Sequence, residues 1–448
     1  MKFDFSAYIV SVIMLLFNTV YSQDSFEEFQ NQQQQAQEQF FEDEISEFQN
    51  YVASVTAQYD AYEQQQDREF EEFKEAVEEK WQNFKSPSKK EYVEYDDDLD
   101  SRATVDFEKG EITVEVIVEE EVTEPSLEPS EKVEQTAPKK KLIPQEIKKK
   151  KMDKEPESLK SIVKKSKESD SRKTRSKQRS LEVKKKIADQ KLQQKLTDII
   201  KAKGDDGKPM LNKQVMDNRG KTVTSTTAKA FASELIANKP VAIKTYKAKD
   251  GKKRTVYTVK VPLKSDHVNI RADRYKQEVL KQSKRFNIDP IIAFAVMETE
   301  SAFNPKAKSH IPAYGLMQLV PKSGARDAYL YVYKEDKFLD GDYLYQPGNN
   351  IELGCAYLSK IRHRYFKAIK DDERAYICAV PAYNTGIGNV AKALVNKPKL
   401  KPAGEKANSM SPDRLYETLI RDLEHKEARD YLERVWSRKD KYAKLAGK

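Results

Sequence analysis

The chain has 448 residues, of which 34% are charged and 38% are hydrophobic, and its formal net charge is +8. This hydrophobic fraction is low for one globular body of that length, so we expect part of the chain to lie outside any packed core. The four histidines and two cysteines form no cluster with the spacing of metal ligands, and no metal site or cofactor is predicted. We expect Cys355 and Cys378 to be buried and unpaired, although an exported chain could pair them.

The first residues have the pattern of a secretory signal. Lys2 precedes an apolar run from Ala7 to Phe17, and small residues around Ser22 provide a cleavage site. We therefore predict a signal peptide at residues 1–22 and an exported protein of the periplasm or cell envelope. An uncleaved signal anchor, and with it membrane association, stays open. No cysteine lies near this segment, so a lipid anchor on an N-terminal cysteine is not expected.

Residues 23–123 are predicted to form a Gln-rich helical stretch followed by a β-hairpin. Aromatic residues recur every three or four positions up to Phe84, which is typical of an amphipathic helix. Such a helix either binds a membrane or envelope-protein partner or docks on its own domain. Further on, the alternating segments Thr104–Phe107 and Glu111–Val118 flank Lys109 and Gly110, which is a hairpin signal.

A charged, low-complexity insertion is predicted at residues 124–203. It is first acidic and then rich in lysine and arginine, and such blocks repel themselves and stay disordered or form a solvated helix. Lys/Arg tracts also bind phosphate backbones, but the signal sequence indicates export and no aromatic residues are interleaved for base stacking. We therefore predict no nucleic-acid partner, and interpret the block as an electrostatic tether or a plain linker.

Regular structure is predicted to resume after the insertion. Residues 204–265 complete an α+β N-terminal domain, because Lys252–Leu263 alternates as a strand does. Residues 266–448 form a helical C-terminal domain, interrupted by Pro and Gly loops. The predicted fold class is thus mainly α, with an α+β domain and a disordered basic insertion before the C-terminal domain.

Two glutamates stand at the end of an apolar helix in this last domain. Asp289 and Pro290 are good N-cap and first-turn residues, and Ile291–Met297 is apolar on every side, so we predict a buried helix that ends at Asn304-Pro305. Glu298 and Glu300 are two positions apart, which separates them by about 200° around the helix. They cannot face one cleft, so one of them serves another purpose.

A carboxyl group in the last turn of a buried helix has a raised pKa. Burial disfavours its charged form, and so does the negative end of the helix dipole. A raised pKa is what a general acid requires at neutral pH. The pattern therefore predicts a glycosidase-like acid, and a surface glutamate at a frayed helix end is the alternative.

Three motifs decide between these alternatives by resemblance. The segments ESAFNPKAKS, GLMQLVP and AYNTGIGNV resemble the signature of the lytic transglycosylase family, which has a lysozyme-like fold and cleaves the glycan strands of peptidoglycan. The segments VDFEKGEITVEVI, PMLNKQVMDNRG, VPLKSDHVNIRADRY and HKEARDYLERV are similar to its membrane-bound murein transglycosylase C branch. The resemblance covers most of the chain outside the basic insertion.

The resemblance implies a role for five residues. Glu300 is the catalytic residue, Ser309 and Gln318 hydrogen-bond the sugar around the N-acetyl group, and Tyr383 and Asn384 form the cleft floor. The chain departs from the family at Pro312, where many members have glycine, and at Pro381, which would kink the helix that carries Tyr383.

The implied reaction is non-hydrolytic cleavage of the β-1,4 bond between N-acetylmuramic acid and N-acetylglucosamine, which leaves a 1,6-anhydro end. Glu300 would act first as acid and then as base, with help from the substrate's own acetamido group. Two other functions stay open: a goose-type lysozyme, which is a hydrolase, and a non-catalytic protein that only binds cell-wall glycan.

Overall fold

The computed structural model describes residues 53–120, 159–310 and 312–447. The chain separates into two compact units, Met1–Arg68 and Glu69–Lys448. In the first unit residues 53–68 are helical, as the aromatic spacing predicts, and the second unit begins with helical residues 69–80. The expected signal peptide, residues 1–22, and residues 23–52 of the Gln-rich stretch lie outside the described residues. Within the described part of the chain, no helix combines the length and hydrophobicity that crossing a membrane needs.

A five-stranded antiparallel sheet organises the first part of the second unit. In chain order its strands are β1 (Glu91–Tyr95), β2 (Ser101–Asp106), β3 (Glu111–Glu119), β4 (Ala242–Lys247) and β5 (Lys253–Pro262). Their order in the sheet is β1-β2-β3-β5-β4. The strands β3 and β5, which are distant in sequence, pair along the whole of β3, from Glu111 opposite Pro262 to Glu119 opposite Arg254.

The predicted hairpin is confirmed as β2 and β3, which pair from Ser101 opposite Val116 to Asp106 opposite Glu111. Its turn requires glycine. Gly110 has φ +72°, and a Cβ atom added there would lie 2.5 Å from His267 Nε2. The strand predicted at Lys252–Leu263 is β5.

Two helices cover one face of the sheet: α1 (Leu159–Lys201) and α2 (Ala228–Asn238). Leu192 and Leu196 of α1 are fully buried in the same core as Val114 of β3. For α1, the predicted disorder is therefore wrong and the alternative of a helix is confirmed, but this helix is packed against the sheet and not solvated on all sides. From Ala188 to Ile200 its apolar residues recur at helical spacing and are buried against the sheet, and the buried Lys195 pairs with Glu94 of β1 at 2.9 Å. Residues 124–158 of the block lie outside the described residues.

The C-terminal part of the unit is helical, as predicted. Its helices are α3 (His267–Phe286), α4 (Pro290–Ser301), α5 (Arg326–Tyr333), α6 (Gly341–Tyr345), α7 (Pro347–Lys360), α8 (Asp372–Thr385), α9 (Ile387–Val395), α10 (Leu400–Asn408), α11 (Pro412–Asp422), α12 (Lys426–Arg438) and α13 (Ala443–Ala446). The π-helical turns Pro321–Ala325 and Ile361–Tyr365 adjoin α5 and α7, and a 3₁₀ turn, Lys439–Tyr442, joins α12 to α13.

Helix α4 is the centre of this helical part. Asp289 caps it by accepting a hydrogen bond from Ile291 N, and every residue from Ile292 to Ser301 is buried, which confirms the prediction of a helix enclosed on all sides. The predicted end at Asn304-Pro305 is wrong. The helix ends at Ser301 because Ala302 and Phe303 both have positive φ, at +48° and +59°, which stops the helical ladder before the proline is reached.

Cys355 and Cys378 are both free and buried in the core of the helical part. Burial raises the pKa of each thiol to about 12. They therefore act as small apolar side chains.

Candidate active site

The side chains of the two glutamates at the end of α4 point in different directions. Glu298 Oε1 accepts a hydrogen bond from Lys441 Nζ at 2.9 Å, and Glu298 Oε2 accepts one from the Tyr442 hydroxyl at 2.5 Å. Arg438 Nε lies 3.5 Å from the same carboxylate. Glu298 therefore anchors the last segment of the chain, as the 200° separation predicts.

Glu300 is buried beside a different set of residues. Its cationic neighbour is Lys89, whose Nζ lies 3.7 Å from Glu300 Oε2. The buried hydroxyl of Tyr431 also faces Glu300, but it forms no hydrogen bond of good geometry with any of the described residues. The carboxyl group is thus almost enclosed by protein, because the Glu300 side chain is only 6% exposed.

Burial raises the pKa of Glu300, and it outweighs the opposing effects of Lys89 and Tyr431. The nearby carboxylate of Glu427 acts in the same direction as burial. A carboxyl group with a raised pKa holds its proton closer to neutral pH, as the sequence predicted, and here burial is the main cause.

The loop after α4 carries Ser309 and Gln318. It is folded back on itself: Gly315 N donates to Ala307 O at 2.9 Å, and Tyr314 and Leu319 bond to each other through both backbone groups. Ser309 belongs to this structure, because its hydroxyl accepts a hydrogen bond from Ala313 N at 3.1 Å.

Gln318 is buried in the loop in a left-handed conformation, with φ +48°. Its Nε2 atom donates to the carbonyls of Gly315 at 3.0 Å and Ala307 at 3.2 Å. Its Oε1 atom is buried and has no hydrogen-bond partner within the described residues. Such an atom is costly unless something else binds it, which makes it a candidate acceptor for a ligand.

Asn350 of α7 stabilises this loop through side-chain hydrogen bonds. Asn350 Oδ1 accepts from Met317 N at 2.7 Å, and Nδ2 donates to the carbonyls of Tyr314 and Leu344, both at 2.8 Å. Gly315, with φ +73°, leaves room for this amide, because a Cβ atom there would lie 2.5 Å from Asn350 Nδ2.

Two further hydrogen bonds connect the motifs to each other. The Ser301 hydroxyl, next to Glu300, donates to Leu316 O at 2.7 Å. The Tyr383 hydroxyl donates to Met317 O at 2.9 Å, and its pKa is raised by burial and by the nearby Glu300. The ends of α4 and α8 therefore meet the same loop. Pro381 is accommodated inside α8, which continues to Thr385.

Asn384 follows Tyr383 on α8 and is half-buried. Its side chain forms no hydrogen bond with the described part of the chain, so its amide is available to a ligand.

A cavity of about 480 Å³ opens over Glu300. Its walls include Lys89 of the segment before β1 and Glu427, Tyr431 and Arg434 of α12. Among the described residues that line it, Ser309, Gln318, Tyr383 and Asn384 are absent. Glu300 is thus approached through residues that the sequence did not single out.

Five residues of this site escaped the sequence analysis. Glu427, Tyr431 and Arg434 lie inside the quoted segment HKEARDYLERV, so the resemblance contained a signal for them. Asn350 and Lys89 had none, because an asparagine in a helix and a lysine in a lysine-rich chain are ordinary in sequence. In the part of the chain that the structure describes, no group of three or more His, Cys, Asp or Glu side chains is placed to hold a metal ion.

Both the sheet-containing part and the helical part of the chain match models of known protein families. Residues 277–404 match the model of the Transglycosylase SLT domain. Residues 59–195 and 194–274 match the model of the N-terminal domain of membrane-bound lytic murein transglycosylase C. These matches confirm the expected layout of an α+β N-terminal domain before a lysozyme-like one.

Individual relatives agree with the family models. The chain is 37% identical over 238 residues to membrane-bound lytic murein transglycosylase C of Glaesserella parasuis, which covers 52% of this chain and 62% of that protein. It is 35% identical over 239 residues to the protein of the same name from Haemophilus ducreyi, covering 53% and 63%. The matched part thus spans less than two thirds of these relatives.

Among solved structures, an inactive mutant of the lytic transglycosylase Slt from Pseudomonas aeruginosa is 26% identical, at a TM-score of 0.29, and covers 39% of this chain and 24% of that one. The two family models and the named relatives point to the same group of proteins. The chain belongs to the lytic transglycosylase family.

Proposed function

We propose that the chain is a peptidoglycan lytic transglycosylase. In this proposal it cleaves the β-1,4 bond between N-acetylmuramic acid and N-acetylglucosamine without water and leaves a 1,6-anhydro end. The observation that carries the proposal is Glu300, a buried carboxyl group with a raised pKa at the end of α4. It lies where the family motif has its catalytic glutamate.

One carboxyl group suffices for the reaction that the family resemblance implies. Protonated Glu300 gives its proton to the oxygen that links the two sugars, and that bond to C1 of the muramoyl residue breaks. The oxygen of the substrate's 2-acetamido group stabilises the positive charge at C1. The carboxylate then takes the proton of the 6-hydroxyl, whose oxygen bonds to C1 and closes the anhydro ring. Glu300 ends the cycle protonated, as it began.

Residues of the loop after α4 and of the end of α8, outside the lining of the cavity over Glu300, support binding of an N-acetyl sugar. The unpartnered Gln318 Oε1 is an acceptor for an amide N–H, and the free amide of Asn384 offers both donors and an acceptor. The Tyr383 hydroxyl donates to Met317 O, so Tyr383 contributes to this surface by fixing the backbone next to Gln318. We assign Ser309 to the same binding surface.

The place of action that we propose is the cell envelope, because the two relatives are named membrane-bound murein enzymes. Export through the N-terminal signal is part of this proposal. An envelope partner of the N-terminal helices stays a prediction.

The test is digestion of purified peptidoglycan sacculi in oxygen-18 water, followed by mass spectrometry of the muropeptides. A lytic transglycosylase gives muropeptides that are lighter by one water and carry no isotope label. Glu300→Gln should give neither cleavage nor label. Labelled reducing ends from the unaltered protein would show hydrolysis and overturn the proposal.

A second candidate, the goose-type lysozyme reaction, has one observation in its favour. Glu427 lines the same cavity as Glu300, and a hydrolase can use a second carboxylate to activate water. Under that mechanism Glu427→Gln would abolish the labelled product. Under ours it changes at most the amount of anhydro product and not its nature.

A further inference from the structure

The segment just before β1 brings a lysine from the sheet domain into the candidate active site. We propose that Lys89 is a positioning residue that controls the charge of Glu300, so that the sheet domain completes the catalytic centre of the helical domain. The role of Lys89 in catalysis rests on the proposed function, whereas its pairing with Glu300 rests on geometry alone.

Three hydrogen bonds stabilise the turn that contains Lys89. Ser88 N donates to Glu91 O at 2.9 Å, and the Ser88 hydroxyl accepts from Glu91 N at 3.1 Å and from Lys90 N at 3.4 Å. The helical domain contacts the turn directly, because Asn304 Nδ2 donates a long hydrogen bond of 3.5 Å to Lys89 O. Lys89 is therefore held near Glu300 from both domains.

A second connection fixes the sheet against the end of α4. Arg271 of α3 is buried and donates to Phe107 O, just after β2, at 2.6 Å and to Ala302 O, at the end of α4, at 2.9 Å. Phe107 N in turn donates to Lys90 O at 2.9 Å. The path from the end of α4 through Arg271 to the Lys89 turn is continuous, so the Lys89–Glu300 distance is a property of the folded domain pair.

Several charged or titratable groups surround Glu300. Tyr431, Glu427 and Arg434 face the cavity from α12, and Tyr383 approaches from α8. The sheet side of the cavity carries two ion pairs, Lys90 with Glu108 and Lys109 with Asp106, and the carboxylate of Glu91. Glu427 opposes ionisation of Glu300, and Lys89 is the strongest group that favours it. Removal of Lys89 therefore removes the strongest effect that opposes burial in setting the pKa of Glu300.

The two proton transfers of the proposed reaction explain why a positive charge beside Glu300 is useful. Glu300 must release its proton to the leaving oxygen and exist as a carboxylate before it takes the next proton. Burial alone stabilises the protonated form and makes that release costly. The Lys89 ammonium stabilises the intermediate carboxylate in place of water. The Lys89 side chain is 38% exposed, so its effect should weaken as salt screens it.

The test uses the full chain with Lys89→Met, which removes the charge and keeps the length, and Lys89→Arg, which keeps the charge. Lys85→Met is the matched control. Lys85 is in the same domain and is 37% exposed, but its ammonium pairs with Glu115 at 2.8 Å. The titration of Glu300 is followed by carbon-13 NMR of labelled glutamate carboxyl groups, and its signal is identified by its loss in Glu300→Gln.

In Lys89→Met we expect Glu300 to titrate at higher pH than in the unaltered protein, and the alkaline limb of kcat/KM for sacculus cleavage to move in the same direction. Lys89→Arg should restore both, and Lys85→Met should change neither. High salt should move the titration of the unaltered protein toward that of Lys89→Met, which tests the inference even if that variant fails to fold.

Two results would overturn the inference: an unchanged Glu300 titration in Lys89→Met, or no response of the unaltered protein to salt when Lys89→Met does not fold. Failure of the proposed function looks different. If the unaltered protein forms no anhydro product but the Glu300 titration still moves in Lys89→Met, the pairing stands and the catalytic assignment falls.

Discussion

The hydroxyl of Tyr442 donates a hydrogen bond of 2.5 Å to Glu298 Oε2, which ties the last turn of α4 to the C-terminal segment of the chain. Tyr442 is itself buried and stacks on Phe294, with ring centroids 5.4 Å apart. The carboxylate next to the candidate catalytic residue is thus part of the packing of the domain.

We predict that Glu298→Gln destabilises the protein and leaves turnover per folded molecule largely intact. The change removes the charge that Lys441 and Arg438 share, which should lower the free energy of unfolding by about 1–3 kcal/mol. Urea unfolding and the rate of anhydro-product formation measure the two effects. A stable but inactive Glu298→Gln protein would contradict the division of roles between the two glutamates.

Glu300→Gln should have the opposite effect on stability. Burial raises the pKa of Glu300 in the folded state, so the stability that its protonated form contributes at acid pH is lost as the pH rises through the folded-state pKa. Glutamine carries no charge and escapes this loss. We expect Glu300→Gln to be more stable than the unaltered protein at alkaline pH and equal to it at acid pH, and inactive at both.

Unfolding by urea at several pH values checks this dependence on pH. The control is Glu424→Gln, which changes an exposed glutamate near the start of α12 and should show no such trend. A constant difference between Glu300→Gln and the unaltered protein at all pH values would mean that the charge of Glu300 is not the cause.

Asn350→Ala should disrupt the loop that carries Gln318. The substitution removes three buried hydrogen bonds and leaves the Met317 N–H unsatisfied, at a cost of about 2–4 kcal/mol. Activity per folded molecule should also fall, because the loop loses its support. Asn349→Ala is the matched control, since Asn349 is half-buried and makes one bond, to Tyr343 O at 3.2 Å. Equal losses in both variants would refute a special role for Asn350.

The two thiols should be inert while the protein is folded. Burial raises the pKa of Cys355 and Cys378 to about 12, so almost no thiolate is present at neutral pH and reagents cannot reach it. Iodoacetamide should leave the native protein unmodified and alkylate both residues in urea, as measured by intact mass. Modification of the native protein at either residue would show that the core opens.

Local patterns in the sequence predicted what depends on local physics. The N-cap at Asp289 and the hairpin around Gly110 follow from residue preferences within a few positions, and the different directions of the Glu298 and Glu300 side chains follow from helix geometry. The charge density of α1 concealed its apolar spacing, so its packing on the sheet was missed. Lys89 could not be found in this way, because its contact with the helical domain joins residues 215 positions apart. No local pattern records such a contact.

The course of helix α3 limits how this chain can be divided. The two family models meet at residues 274 and 277, inside the helix His267–Phe286. Arg271, on one side of that junction, bonds to Phe107 O, Gln214 Oε1 and Ala302 O. A chimera joined at the family boundary would take the two halves of α3 from different proteins. The buried Arg271 would then come from one protein and some of its hydrogen-bond acceptors from the other. We expect working recombinants between relatives to exchange the sheet, α3 and α4 as one inherited block.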